Sequence, residues 1–253
     1  MKILIITQAR IGSSRLPNKV LMKIGNDTML GLHLKRLAKS KNAYKVVVAT
    51  TKEDGVSKII EIAKNLNIDV FQGSTNDVLD RFYNAANQYH PDYVVRVTSD
   101  CPLIDSELID EVINKTISKK VDYCSNIITE DFPDGQDVEV FKFEALQKAW
   151  SNAVLKSDRE HVTSFIRNNS ENKGNRMFST FDVKSLKNYN HLRMTVDELE
   201  DLEMVQWLVS ELGPQKKWLE YANHMLNNKS FLKNSNIIRN EGFFKSLKQD
   251  KNE

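Results

Sequence analysis

Short continuous apolar runs, rich in β-branched residues and closed by polar residues or glycine, recur at Ile3 to Thr7, Tyr44 to Ala49, Ile68 to Phe71 and Tyr93 to Thr98. Runs of this kind predict strands buried on both faces. Between them lie stretches with apolar residues at helical spacing: Thr28 to Ala38, Val56 to Leu66, Val78 to Ala86 and Ser106 to Ile117. The alternation implies βαβ units, so residues 1–125 are expected to form a doubly wound, mostly parallel α/β sheet covered on both sides.

After Cys124 the rhythm changes. Asp134-Gly135 marks a turn, and Gln136 to Phe141 alternates polar and apolar positions like a half-exposed strand. Helices are expected over Lys142 to Trp150 and Asp158 to Asn168, then an exposed Asn-rich loop from Asn168 to Asn175. Leu192 to Val196 reads as another strand. It is followed by helices over Asp197 to Leu208 and, with Pro214 in a first turn, Pro214 to Leu226. Trp150, Trp207 and Trp218 fall within helical patterns as core or interface residues, and the charged end, Lys245 to Glu253, is expected to fray.

Composition narrows the class. With 253 residues, 40% hydrophobic and 28% charged, the chain can bury a sizeable core; nine Gly and five Pro argue against a low-complexity architecture. The formal net charge of +2 is too balanced for nucleic-acid binding through a bulk field, so an anionic ligand needs a local cluster. Cys101 and Cys124 make neither a disulfide framework nor a metal-binding spacing and read as small buried residues. No apolar run reaches the length of a signal-peptide core or a membrane span, which places the protein in the cytoplasm as an expectation.

Chemistry is expected beyond the carboxyl ends of the parallel strands. The first such loop, Gln8 to Lys19, is neither a dinucleotide fingerprint nor a Walker A loop, because Gly12 stands alone and no Gly precedes Lys19. It does carry three cations, Arg10, Arg15 and Lys19, on a Gly/Ser backbone that Pro17 keeps out of a helix. A solvated basic loop is the plain alternative; its position after a buried first strand favours phosphate. Asp100 follows the fourth strand in the run Arg96 to Asp105, and since Asp105 and Ser106 supply the next helix cap, Asp100 is free to hold Mg²⁺. Asp197, again past a strand, could be a second ligand or an acidic residue suited to a helix dipole.

The run QARIGSSRLPNKVL resembles the N-terminal signature of the acylneuraminate cytidylyltransferase family, in the version of the spore coat polysaccharide biosynthesis proteins. VATTKED, FQGSTNDVLDRFYNAA, VRVTSDCPLID, FPDGQDVEVF, REHVT, LRMTVDELEDL and RNEGFFKSL match in order, so the resemblance covers nearly the whole chain. It implies a single cytidylyltransferase domain over 1–253: a nucleotide-binding core over 1–125, a sugar-pocket and dimerisation segment over about 132–189, and a return to the core over 190–253.

By the same resemblance Arg10, Arg15 and Lys19 would grip the CTP phosphates, with Gln8, Ala9, Gly12 and Ser13 around them, and Asp100 and Asp197 would hold Mg²⁺. Gly73 to Arg81 would wall the cytosine, with Asp80 and Arg81 as its polar residues, while Thr50 and Ser99 lie at strand ends beside the nucleotide. Asp137, Glu139, Arg159 and His161 are the candidates for the sugar, although Asp137 and Glu139 could equally face solvent from an edge strand and His161 could be structural. The implied reaction is attack of a sugar hydroxyl on the α-phosphorus of CTP by a homodimer, giving a CMP-linked acidic sugar and pyrophosphate. Relatives acting on sialic, legionaminic or pseudaminic acid generally carry Gly-Gly-Ser-Lys in the first loop; Ile11-Gly12-Ser13-Ser14 here leaves the sugar open. Two rivals remain: a nucleotide-sugar-dependent glycosyltransferase, for which the expected Asp-x-Asp motif is not met by Asp100-Cys101-Pro102, and a non-catalytic nucleotide-binding scaffold.

Overall fold

A computed structural model describes residues 1–13, 15–231, 234, 236, 237, 239 and 241–250. Seven strands form one sheet: β1 (Ile3–Gln8), β4 (Lys45–Thr50), β5 (Asp69–Gln72), β6 (Tyr93–Thr98), β7 (Tyr123–Ser125), β8 (Glu139–Lys142) and β9 (Thr180–Asp182), in the order β5-β4-β1-β6-β8-β7-β9. A separate hairpin pairs β2 (Lys23–Ile24) with β3 (Asp27–Thr28). Strands β5, β4, β1 and β6 are parallel, β8 runs antiparallel to both its neighbours, and β7 and β9 are parallel to each other.

Each continuous apolar run serves two cores because successive side chains leave opposite faces of a strand. Ile3, Ile5, Val46, Val48, Val95 and Val97 join one cluster, packed under α1 (Met29–Leu37), α2 (Ser57–Asn65), α4 (Ser106–Lys119), α8 (Leu199–Leu212) and α9 (Trp218–Asn227). Leu4, Ile6, Val47, Ala49 and Val94 join the other, under α3 (Val78–Asn87), α5 (Phe143–Asn152), α6 (Lys156–His161) and α7 (Ser164–Asn168). Helices therefore cover both faces, and α10 (Glu241–Asp250) packs against α6.

The chain runs outward from β1 through β4 to β5, then crosses to β6 on the other side of β1. That reversal creates the crevice where open α/β sheets take ligands. Register sets its width: Gln8 at the end of β1 lies opposite Thr98 at the end of β6. Both helices that open beside it are capped by aspartate, Asp77 accepting from the Asp80 amide (2.9 Å) and Asp105 from the Glu107 amide (2.9 Å).

The second half departs from its pattern in several places. Gln136 to Phe141 contributes β8, an interior strand between β6 and β7 rather than a half-exposed one; Glu139 is 2% exposed because Arg96, opposite it on β6, supplies a countercharge. Leu192 to Val196 makes no ladder, only the bridge of Arg193 with Asp134; Arg193 turns to ion pairs and the Thr195 hydroxyl to the Asp100 carbonyl. Asp158 to Asn168 is not one helix: Val162, at φ +61°, separates α6 from α7. Pro214 precedes α9 by several residues, and Asp197 sits ahead of α8 rather than in its first turn. Strands β7, β9 and the β2–β3 hairpin span two or three residues each, too few for a period to register. The C-terminal run is helical to Asp250, and its last three residues lie outside the described ones. Among the described residues no helix is long and apolar enough to cross a membrane.

Candidate active site

At the carboxyl end of the sheet, a cavity of about 630 Å³ opens between the first loop and the start of α3 and α6. Arg10, Arg15 and Lys19 line it with Gln8, Ala9 and Ser13, and Ser99, Asp100 and Asp197 form its floor. A second cavity of about 460 Å³ adjoins it, sharing Gln8, Arg15, Thr98, Asp100, His161 and Asp197.

Backbone contacts bring the two aspartates together across 97 positions of chain separation. The Asp100 carbonyl accepts from the Val196 amide (2.7 Å) and the Thr195 hydroxyl (3.1 Å). The Asp134-Gly135 turn presses on the same segment, with Met194 N donating to Asp134 O (2.6 Å). Gly135 has φ +102°, and a Cβ there would lie 2.5 Å from the Thr195 nitrogen, so the approach requires glycine.

Charge is knotted at this point. Lys19 Nζ donates to Asp197 Oδ1 (2.9 Å), Asp100 Oδ2 (3.4 Å) and the Val196 carbonyl (2.8 Å). Arg15 reaches the same Asp197 oxygen (2.9 Å), while Arg193 holds Asp197 Oδ2 (3.1 Å) and is itself fixed by Asp134 and Asp201. Burial disfavours the Asp100 carboxylate, but Lys19 and hydrogen bonds from Thr98 and Cys101 outweigh it and bring the pKa down to about 2. Asp100 is therefore ionised at neutral pH.

The opposite wall carries Arg81 and Arg159. Arg81 is buried, donates to the Ser74 carbonyl (2.5 Å) and keeps Nε without a partner; burial and the nearby Arg10 lower its pKa to about 10. Arg159 grips Asp77 through Nε (2.9 Å) and Nη2 (2.5 Å). In the second cavity Asp137 receives Arg239 (2.7 Å), and Glu139 receives Arg96, the Tyr123 hydroxyl (2.7 Å) and the Thr163 hydroxyl (2.5 Å). Burial works to raise the Glu139 pKa, but Arg96, Arg167 and the hydrogen bonds from Thr163 and Tyr123 together lower it below the usual carboxylate value, so this buried side chain stays charged.

A cytidylyltransferase family model matches residues 4–237. The chain belongs to the cytidylyltransferase family. The solved structure of a cytidylyltransferase from Leptospira borgpetersenii shares 33% identity and a TM-score of 0.87, covering 94% of this chain and 100% of that one. The spore coat polysaccharide biosynthesis protein SpsF of Bacillus subtilis is 28% identical over 227 residues, 83% of this chain and 88% of its own. The 3-deoxy-manno-octulosonate cytidylyltransferase of Chlorobium chlorochromatii is 33% identical over 136 residues, 53% of each chain.

Four candidates of this cytidylyltransferase, Gly12, Thr50, Gly73 and Asp80, line neither cavity. The amides of Gly12 (3.2 Å) and Ile11 (2.9 Å) already donate to the Glu53 carboxylate. Thr50 is buried with its hydroxyl unpartnered, and Asp80 accepts from the Trp150 indole (2.9 Å). Gly73 lies beneath Arg81, where a Cβ would come within 2.8 Å of Arg81 Cγ. His161 borders both cavities; burial, then Arg96 and Arg167, lower its pKa to about 4. Its Nε2 lies 2.7 Å from Ser246 Oγ, whose own proton goes to the Phe243 carbonyl, so Nε2 carries the hydrogen and Nδ1 the lone pair.

Sequence reasoning passed over two residues of the cytidylyltransferase site. His33 is fully buried, with Nδ1 2.9 Å from the Cys101 carbonyl and Nε2 2.9 Å from the Thr7 hydroxyl. The carbonyl fixes the proton on Nδ1, so the neutral ring ties the end of β1 to the turn bearing Asp100. Glu53 was the other. It lies inside VATTKED, but nothing in its spacing marks it as an acceptor for the loop amides. Among the described residues no group of three or more His, Cys, Asp or Glu side chains forms a metal cage.

Proposed function

We propose that this cytidylyltransferase moves CMP from CTP to an acidic sugar, sialic-acid-like or 3-deoxy-manno-octulosonate-like, releasing pyrophosphate for surface polysaccharide synthesis. The observation that carries the reading is the convergence of Arg15, Lys19, Asp100 and Asp197 at the switch point of the sheet. The triphosphate lies along the first loop, met by Arg10, Arg15 and Lys19, with Gln8, Ala9, Ser13 and Ser99 beside it; Gly12 shapes the loop. Arg81 meets the base, with Thr50, Gly73 and Asp80 supporting that wall. The sugar enters the second cavity, where Asp137, Glu139 and His161 face its hydroxyls, and Arg159 lines the first cavity beside it.

A pair of carboxylates plus one backbone carbonyl converging on a single cation is an all-oxygen set that suits Mg²⁺, which takes one or two carboxylates and completes its shell with phosphate and water. When bound there it would neutralise phosphate charge and acidify the attacking hydroxyl. The protein's own work is positional and electrostatic. A sugar hydroxyl bonds to the α-phosphorus, the bond to the β-phosphate oxygen breaks, and the cations of the first loop stabilise the departing pyrophosphate. The acidic character of the sugar is supported by Arg96, Arg167 and Arg239 beside the second cavity, each with a buried Nε that has no partner. Exposed Val154, Leu155, Met177 and Leu186 support the segment over 132–189 as the face of a homodimer, and the use of CTP supports the cytoplasm.

Pyrophosphate release, screened with four nucleoside triphosphates against a panel of keto-sugar acids, tests the reading. CTP-dependent release with one acid is expected. CTP binding with no release across the panel would favour the non-catalytic scaffold.

A further inference from the structure

Lys19 does more than stand near the two aspartates. Its ammonium is enclosed by Asp197 Oδ1, Asp100 Oδ2 and the Val196 carbonyl, and only 12% of the side chain is exposed. These are the same oxygens that would hold a divalent ion, so the ammonium stands where that ion would sit. Arg15 adds a second positive charge on Asp197 Oδ1. An ion arriving alone would have to displace the Lys19 ammonium from its enclosure while being repelled by Arg15, which Glu198 (3.6 Å) and Glu241 (3.8 Å) also hold in place.

A nucleoside triphosphate changes the balance. Its phosphate oxygens would offer Lys19 and Arg15 a new set of anions along the first loop, so the Lys19 ammonium keeps a countercharge when it lets go of aspartate. The geometry allows the exchange: Lys19 opens a short 3-10 turn, Lys19–Leu21, and reaches the carboxylates on a flexible four-carbon stem. Arg193 stays behind, pinned by Asp134 and Asp201, and keeps Asp197 oriented.

We infer that Lys19 is a resident counter-cation that keeps a divalent ion off the Asp100–Asp197 pair until a nucleoside triphosphate draws the ammonium away, so that metal and nucleotide load together. The inference rests on the nucleotide reading of the first cavity. It gives Lys19 two stations, the aspartates in the empty protein and the phosphates in the loaded one. It also explains how two carboxylates can be held side by side without an ion between them.

Mn²⁺ binding to the full chain tests this without any turnover, by following the free ion's paramagnetic resonance. The wild type is expected to bind Mn²⁺ alone at least tenfold more weakly than in the presence of a CTP analogue with a methylene between its α and β phosphorus atoms. Lys19→Met and Lys19→Gln are expected to bind Mn²⁺ alone at least tenfold more tightly than the wild type, and adding Asp100→Asn should erase that gain. Equal Mn²⁺ affinity of the wild type with and without the analogue, or no gain in the folded variants, overturns the inference. If neither variant folds, the wild-type comparison decides alone. Failure of the analogue to bind with metal present would sink the nucleotide reading itself, while a gain in the variants without analogue would still establish the ammonium as the occupant.

Discussion

The two wings of the sheet are built from different material. From β5 to β6 the strands are mostly Ile and Val on both faces, with Arg96 of β6 turned to the next strand; from β8 to β9 the chain buries Glu139, and the adjoining segments bury Arg193 and Asp201. An apolar wing is held by area removed from water and tolerates local change. A charged wing is held by complementarity, where losing one partner strands the other. The candidate cavities draw on both wings: the loops after β1 and β6 bring Arg10, Arg15, Lys19 and Asp100, and the charged wing with its adjoining segments brings Asp137, Glu139 and Asp197.

That contrast can be broken most severely at Arg96. Replacing it with Met leaves Glu139 buried without its main countercharge, which should cost about 3–5 kcal/mol in denaturant unfolding; adding Glu139→Leu should recover much of the loss. Loss of one partner with no recovery would mean that the wing is not organised by that pair. Next come Lys19→Ala and Asp100→Ala. Each should lower CMP transfer by roughly 10²–10³-fold while the unfolding midpoint moves far less than for Arg96→Met, because these residues stabilise transferred charge rather than the core. Ile5→Val, in the apolar wing, should cost only about 0.5–1.5 kcal/mol and leave transfer unchanged.

The same contrast explains what the sequence could disclose. Ile3 to Ile6 names its own burial, since a run with no polar position has only one stable environment. Gln136 to Phe141 does not: a polar residue at alternate positions looks the same whether it meets water or, as Glu139 does, an arginine on the next strand. Leu192 to Val196 misled for the same reason, its Arg193 serving three carboxylates in place of a ladder. At the site, Lys19 and Asp100 are legible by residue type and position after β1 and β6, whereas Asp197 is legible by residue type alone, the strand expected before it being absent. His33 and Glu53 were not, because each acts through contacts between distant segments.

A further test is a pH difference. His33 is neutral when folded, its pKa lowered by burial from 6.5 to about 4, so the unfolded chain takes up this proton first and stability is lost as pH falls from about 6.5 toward 4. His33→Asn keeps a donor toward Cys101 and removes the titration. The stability advantage of the wild type over this variant should therefore shrink with falling pH, by up to about 1.4 kcal/mol per unit, with the carboxylates cancelling between the two chains. A gap that stays constant from pH 7 to 4 would show that His33 is not held neutral.

The central claim is that a basic loop and two remote aspartates meet around one metal-bound nucleotide. Phosphorus-31 relaxation of the methylene-bridged CTP analogue, bound to the full chain with Mn²⁺, measures that meeting directly. Steep paramagnetic relaxation of its phosphates in the wild type, lost in both Asp100→Asn and Asp197→Asn while the analogue remains bound, is the expected result. Relaxation that is absent in the wild type, or the same in all three proteins, would contradict it.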